Sequence, residues 1–321
     1  MGCSSSQIQP YFLQSNIATH TFQIRNILEL PNGNALTFCG DGSIYTYKSF
    51  EFKELLSITK AHLTQITDSL YFKKSFYIIT SSIDYSIKLW QPILIEKTQY
   101  SLSIKFTYKL KSKHIIPNVL LKLNEINLFA CGTTSSICIF YISSKNRIEL
   151  LNLYESNSDI ITMTLTSKAN SICANAVFRV LLWKYETINN KIENNVVFTD
   201  KGGHDGIVRA VLCLENGNVV SGGDDKKIII WNENKDRLVR MDELIGHNGP
   251  VVSLYQLKEK NLISGDMYSV IYIWDIPSGT ILQELYQNGE IIRLYQPSVL
   301  KGKLLCSISS DNHFKVWGKK S

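Results

Sequence analysis

The sequence predicts an all-β protein built from seven like modules, and three observations carry that reading. Seven aromatic residues, Tyr47, Trp90, Phe140, Trp183, Trp231, Trp274 and Trp317, recur at steps of 43, 50, 43, 48, 43 and 43 residues. Each closes a short apolar strand, as in SIYTY, SIKLW, SICIF, RVLLW, IIIW, IYIW and FKVW. Upstream of five of them, at 26 to 28 residues, stand His20, His62, His114, His204 and His247. One module of this length cannot bury its own apolar faces, so the repeat implies a stack or ring of modules packed on one another.

Two further registers mark each module. Asp41, Asp84, Asp225 and Asp311 lie six residues before the aromatic, in turn-like settings such as GDGS and GDDKK. Thr37, Thr80, Ser221, Ser264 and Ser307 lie ten residues before it. Between the markers the text reads as four strands. In the fifth module these are IVRAVLCL, NVVSGG, KIIIW and LVRMDEL, separated by ENGN, DDK and NENKD. Runs rich in Val and Ile, bounded by Gly, Asn and Asp, are what antiparallel strands and their turns require. No segment has a helical period.

Composition narrows the function. The chain has 321 residues, 44% hydrophobic and 19% charged, and seven modules account for nearly all of it. No apolar run approaches the roughly 18 to 20 residues of a membrane-spanning helix, and the N-terminus lacks the basic start and apolar stretch of a secretory signal. The seven cysteines are scattered without a CxxC pair, which reads as small buried thiols in a reducing cytosol rather than a zinc or redox site. A formal charge of +6 is mild for this size. With basic residues dispersed and a pI near 8.8, nucleic-acid binding is not expected.

The pattern GH, then an apolar strand, then SGGDDKKIIIW or SSIDYSIKLW resembles the WD40 repeat. The resemblance covers about residues 10 to 321 in seven copies and implies a seven-bladed β-propeller of four-stranded antiparallel blades around a central channel. It also implies that His, Ser or Thr, Asp and the aromatic form one buried hydrogen-bonded chain within a blade. Complete sets are His62, Thr80, Asp84, Trp90 and His204, Ser221, Asp225, Trp231, and His20, Thr37, Asp41, Tyr47 is a near match. Buried Asp and His are costly unless their polar atoms find partners, so these residues read as structural rather than catalytic. Blade three carries Ala130 and Thr134 at the Ser and Asp positions, blade four Cys173 and Val177 with no His. Blade six places Tyr268 at the Asp position, and blade seven Asn288 where His would stand.

Only Gly318 to Ser321 follow Trp317, so the last blade lacks its outermost strand. Tyr11 to Ile17 precedes His20 as an outer strand precedes GH elsewhere, and the resemblance implies that it completes blade seven and removes an open edge. Residues 1–9 then form an N-terminal segment and residues 10–321 the propeller. Two modules are longer, by QPILIEKTQYSL after Trp90 and KYETINNKIENN after Trp183. Both insertions fall between third and fourth strands, on the face conventionally called the bottom. Ile104 to Lys113 alternates, with Ile104, Phe106, Tyr108 and Leu110 opposite Lys105, Thr107, Lys109, Lys111 and Lys113. A lysine row on an outer strand guards against edge pairing, and the alternative is contact with an anionic surface.

The chain opens MGCSSSQ, which matches the N-myristoylation pattern through Gly2 and Ser6, and Cys3 offers a thiol for S-palmitoylation. One myristoyl chain binds membranes marginally, and a second acyl chain makes attachment stable. Ten extended residues reach at most roughly 35 Å, so the bottom would face the bilayer and the top the cytoplasm. By resemblance, partner proteins or peptides meet the top rim at Arg25, Gln65, Thr67, Ile83, Arg209, Asp224, Val252, Met267 and, counting Asn288 as the His position, Arg293. Three arginines among Ile, Val and Met suit an acidic or phosphorylated segment. No cofactor, metal ligand set or nucleophile motif stands outside the structural registers. The expectation is a noncatalytic, monomeric, cytoplasmic scaffold lipid-anchored to a membrane face. The alternative is a soluble adaptor of a ubiquitin-ligase, trafficking or ciliary complex.

Overall fold

The computed structural model describes residues 10–18, 22–49, 52–96, 99–110, 115–124, 126–156, 158–166, 171–188, 191–198, 203–234, 237–257, 261–296 and 304–319. Within them the strands form seven separate four-stranded antiparallel sheets. From the innermost strand outwards, blade one is Ile24–Glu29, Ala35–Cys39, Ser43–Tyr47 and Leu55–Lys60. Blade two is Ile66–Phe72, Tyr77–Ser82, Ser86–Glu96 and Gln99–Lys109, and blade three is Pro117–Lys122, Leu128–Thr133, Ser136–Ile142 and Ile148–Glu155. Blade four is Met163–Leu165, Ser171–Ala176, Arg179–Ile188 and Lys191–Phe198. Val208–Cys213, Val219–Gly223, Lys227–Asn234 and Arg237–Ile245 make blade five, and Val251–Gln256, Leu262–Asp266, Val270–Asp275 and Thr280–Tyr286 make blade six. Blade seven joins Ile291–Tyr295, Leu304–Ser309 and His313–Lys319 to Tyr11–Ala18 from the other end of the chain.

The core lies between blades, because each strand sends alternate side chains to opposite faces. Trp231 packs with Cys173 and Leu182 of blade four, whereas its neighbour Ile230 packs with Val251 and Leu262 of blade six. Likewise Trp90 meets Leu30, Leu36 and Phe38 of blade one, and Leu89 meets Phe129 and Phe140 of blade three. Every blade thus depends on both neighbours for its burial. The innermost strands contact one another in sequence, and that of blade one meets that of blade seven.

The expected closure is present. Tyr11–Ala18 pairs antiparallel with His313–Lys319, from Tyr11 opposite Lys319 to Ala18 opposite His313. Its register shifts between Leu13 and Ser15, opposite Trp317 and Val316. The outer strands of blades one, two, three, five and six carry the same bulge opposite their own repeat aromatic. The N-terminal strand therefore follows the rule of the blades that are continuous in sequence. Tyr11 is 1% exposed, within the cluster shared by blades six and seven. Gln283 of blade six accepts from the Tyr11 amide at 2.8 Å and donates to its carbonyl oxygen at 2.6 Å, serving as one more rung of ladder.

That bulge corrects the alternation expected of blade two. Ile104 pairs with Trp90 but Phe106 pairs with Leu89, leaving Lys105 as the extra residue. Ile104 falls on the other face, 49% exposed, while Phe106, Tyr108 and Leu110 pack against the blade-three cluster. Lys111 and Lys113 lie outside the described residues. Both insertions are continuations of strands rather than loops: blade two pairs as far as Glu96 with Gln99, and blade four as far as Ile188 with Lys191.

Replacing Tyr11 by alanine should cost about 3 kcal/mol in equilibrium unfolding, the range for emptying a buried aromatic site. Phe12→Ala, at a side chain 42% exposed on the same strand, should stay within about 0.5 kcal/mol of wild type.

Candidate functional site

The registers read from the sequence become hydrogen bonds that hold the top face in place. In blade two, Trp90 Nε1 donates to Thr80 Oγ1 at 2.9 Å, Thr80 Oγ1 lies 2.7 Å from His62 Nε2, and His62 Nδ1 lies 3.0 Å from Asp84 Oδ2. Once the indole donates to the hydroxyl, the hydroxyl proton points to Nε2, and Nδ1–H points to the carboxylate. The chain is satisfied when the imidazole is neutral. Burial lowers His62 from its ordinary 6.5, against the opposing pull of Asp84. Burial by itself would raise Asp84, but hydrogen bonds from His62, Ser86 and the Leu63 amide outweigh it and hold the carboxyl well below its usual range. Blade five repeats the chain from Trp231 to Ser221 (2.7 Å), His204 (2.8 Å) and Asp225 (2.8 Å). Its Asp225 is likewise lowered, burial being outweighed by His204 and the Asp205 and Lys227 amides.

In blade six Tyr268 stands at the position of Asp84 and Asp225, as expected, but the acceptor role passes to another residue. Asp266, fully buried, receives His247 Nδ1 at 2.8 Å, while Ser264 Oγ meets His247 Nε2 at 2.6 Å and Trp274 Nε1 at 2.7 Å. Asp266 stands two residues after Ser264 on one strand, so both side chains project to the same face. In blade seven the His position belongs to Gln287 rather than Asn288. Ser307 accepts from Trp317 Nε1 at 2.9 Å and donates to Gln287 Oε1, and Gln287 Nε2 donates to Ser309, which donates to Asp311. An amide presents both a donor and an acceptor and so substitutes for imidazole. In blade four, Cys173 offers no such acceptor, and among the described residues Trp183 Nε1 has no partner. His20 and His114 lie outside the described residues.

The inner wall is a channel of about 730 Å³. An innermost strand has no further strand beside it, and its buried N–H groups need other partners. Side chains from the preceding blade supply them: Asp68 Oδ2 accepts from the Leu120 amide at 3.0 Å, Ser253 Oγ from Leu294 at 3.0 Å, and Thr162 Oγ1 from Val211 at 3.1 Å. Asp68 also accepts from Asn26 Nδ2 at 2.9 Å, the Ser69 amide at 2.8 Å and Arg293 Nη1 at 2.9 Å. This one carboxylate, 3% exposed, joins blades seven, one, two and three.

The rim positions follow one backbone rule. The amides of Ile83, Asp224 and Met267 donate to the carbonyls of Gln65, Ile207 and Pro250. In blade seven Ser310 donates to Glu290, which puts Glu290 and the bulge residue Ile292 in the rim register. Arg25, Thr67, Arg209 and Val252 are the corresponding bulge residues of their strands. Arg293 is therefore displaced from the expected rim. It reaches from blade seven past blade one to Asp68, its side chain 41% exposed.

Nor do the three arginines form one open patch. Arg209 is bidentate to Asp224, Nε and Nη2 at 2.7 and 2.9 Å, a hydrogen bond that raises its pKa. Arg25 faces the Gln65 amide, whose oxygen, so oriented, accepts from Nε at 2.8 Å. Burial lowers Arg25 from its ordinary value. The Thr67 hydroxyl bonds Ser81 Oγ at 2.8 Å and the Pro117 carbonyl at 2.5 Å, tying blade two to blade three.

Apolar top-side residues outside the expected partner-binding set are Leu63 (88% exposed), Tyr268 (63%) and Phe22 (48%). The Tyr268 ring lies against Gly249, where a Cβ would come within 2.8 Å of it. Glycine at that turn keeps the ring platform in place. Among the described residues no cluster of three or more His, Cys, Asp or Glu could hold a metal ion.

Residues 195–232, which span most of blade five, match the family model described as WD domain, G-beta repeat. A search of the curated proteins by sequence returns no match. Among solved structures, the chain is similar to the WD40 β-propeller domain of Doa1, with a TM-score of 0.73, 14% identity and 98% of each chain covered. Repeat and fold agree: the chain folds as a seven-bladed β-propeller, and one stretch of it matches the WD40 repeat.

Asp84→Asn, which removes the charged acceptor of His62 and of two amides, should destabilise by about 2 kcal/mol in urea unfolding. The pH dependence has a definite sign. His62 is lowered in the fold from 6.5, so its contribution is complete above about pH 6.5 and is lost as pH falls below it. Asp84, lowered from 3.8, adds a second loss below about pH 4. Thermal midpoints across this range should fall in those two stages, and His62→Gln should flatten the first.

Proposed function

We propose that this propeller is a protein-interaction scaffold whose top face takes an extended peptide segment across the channel mouth. The carrying observation is that the top-side turns of blades one, two and six expose Phe22, Leu63 and Tyr268, while Arg25 is half-buried on the innermost strand of blade one. Aromatic and aliphatic anchors beside an arginine are the residue types that dominate binding energy at interfaces. Arg25 meets an amide where Arg209 meets a carboxylate, so it can exchange that neutral acceptor for an acidic or phosphorylated side chain. Arg209 and Arg293 serve the fold.

The same reading includes attachment to a membrane by acylation at Gly2 and Cys3. Both residues lie outside the described ones, and the support is the MGCSSS pattern together with Tyr11, which sits at the bottom opposite the top rim. A soluble adaptor within a multiprotein complex is the outcome if Gly2 carries no acyl chain.

In cells, Gly2→Ala should move the protein from the membrane to the soluble fraction and abolish labelling by tagged myristate; equal fractions without label would leave the soluble adaptor. At the top face, combined Leu63→Ser, Tyr268→Ala and Arg25→Ala should reduce retention of copurifying partners at least tenfold. The same variant should unfold within about 1 kcal/mol of wild type, since the two apolar side chains are exposed. Unchanged retention would remove the top rim as the binding surface.

A further inference from the structure

The third and fourth strands of blade two run on well past the repeat aromatic. After Trp90 the strand runs six more residues, to Glu96, and all of them but Ile95 pair with Gln99 to Ser103. At about 3.3 Å per residue the ribbon projects roughly 20 Å beyond Trp90. The third strand of blade one, by contrast, ends at its aromatic, Tyr47. Ile93, Leu94 and Ile95 on this ribbon are 46, 52 and 62% exposed. Ile93 and Leu94, consecutive and both paired, project from opposite faces, and Ile95 is the extra residue where the register shifts between Leu94 and Glu96. Nearby on the bottom, Ile126 is 59% exposed, and its carbonyl is held by Ser75 of blade two at 2.9 Å.

Apolar side chains on both faces of a projecting ribbon suit a surrounding medium better than a flat partner surface. The adjoining turns are basic and exposed: Lys73 and Lys74 in blade two, Lys145 and Arg147 in blade three, the latter pair near Glu149. Tyr11 opens its strand at this same end of the barrel of blades, paired with Lys319.

We propose that the blade-two hairpin is a membrane-inserting wedge, with Ile93, Leu94 and Ile95 entering the interfacial zone of an anionic bilayer and the four basic residues lying against its headgroups. Apolar burial and attraction to anionic lipid add in such attachments. The wedge deepens the membrane reading above but needs no acyl chain. It supplies the second signal that a single myristoyl group requires for stable anchoring.

The test uses the full chain made in bacteria, where Gly2 stays unmodified, and phosphatidylcholine vesicles with and without phosphatidylserine. Wild type should cosediment with the phosphatidylserine vesicles, less at high salt. Combined Ile93→Ser, Leu94→Ser and Ile95→Ser should weaken binding at least tenfold, as should Lys73→Glu with Lys74→Glu, and thermal midpoints should not change. All five native tryptophans are buried, so their emission should not respond to lipid, and a blue shift and quenching by brominated lipid seen only with Leu94→Trp come from the introduced indole. No vesicle binding by wild type, unchanged binding by the triple serine variant, or an indole indifferent to lipid would each overturn the wedge. None of these results bears on acylation, which Gly2→Ala tests in cells.

Discussion

Everything in this fold rests on one antiparallel ladder, between Tyr11–Ala18 and His313–Lys319. A four-stranded blade has two apolar faces and no core of its own, so it is stable only when flanked on both sides. Break the ring at any point and two blades each lose one face. The chain breaks there by necessity, since its two ends must lie somewhere, and it repairs the gap with the N-terminal strand. Matching bulges opposite Trp317 and five other repeat aromatics show that this strand takes the geometry of a continuous blade. The Gln283 amide then bonds it to blade six.

Closing the ring creates a second demand at its centre. Seven innermost strands bring unpaired backbone edges together, and a buried N–H without an acceptor is expensive. Polar side chains one blade back meet that demand, most fully at Asp68. Its charge is balanced by Arg293 across the mouth. This explains why an arginine that looks available for ligands in the sequence is committed to the fold. It also separates the roles of the two faces. The top carries short turns clamped by His, Asp and Gln networks and presents side chains around a fixed opening. The bottom is free of those clamps and accommodates strands of unequal length, including the blade-two ribbon.

Legibility followed the range of the interaction. The blade-two and blade-five chains were readable because Thr80, Asp84 and Trp90, or Ser221, Asp225 and Trp231, sit on one hairpin whose turn fixes their spacing. Asp266 was missed because it reaches the same histidine from the strand rather than from the turn, and fixed spacing does not register that route. Gln287 was missed because an amide can perform the work of an imidazole only in a geometry the sequence does not display. Arg293 was placed one residue off for the same cause, since the rim register of blade seven hangs on Gln287. Tyr268 stands at a register position without the residue type that marks it, and Leu63 merely follows a register histidine; the significance of both is exposure.

By itself the sequence determined the all-β class, the number of modules, the need for Tyr11 to Ile17 to close the last one, and the structural role of His62, His204 and His247. These are consequences of periodicity and of local turn geometry, which the chain writes directly. Only the tertiary structure decided which charges remain available. Whether Arg25, Arg209 or Arg293 meets a carboxylate depends on side chains that other turns and other blades bring into reach once the ring has closed, and Asp68 lies 225 residues from the arginine it binds.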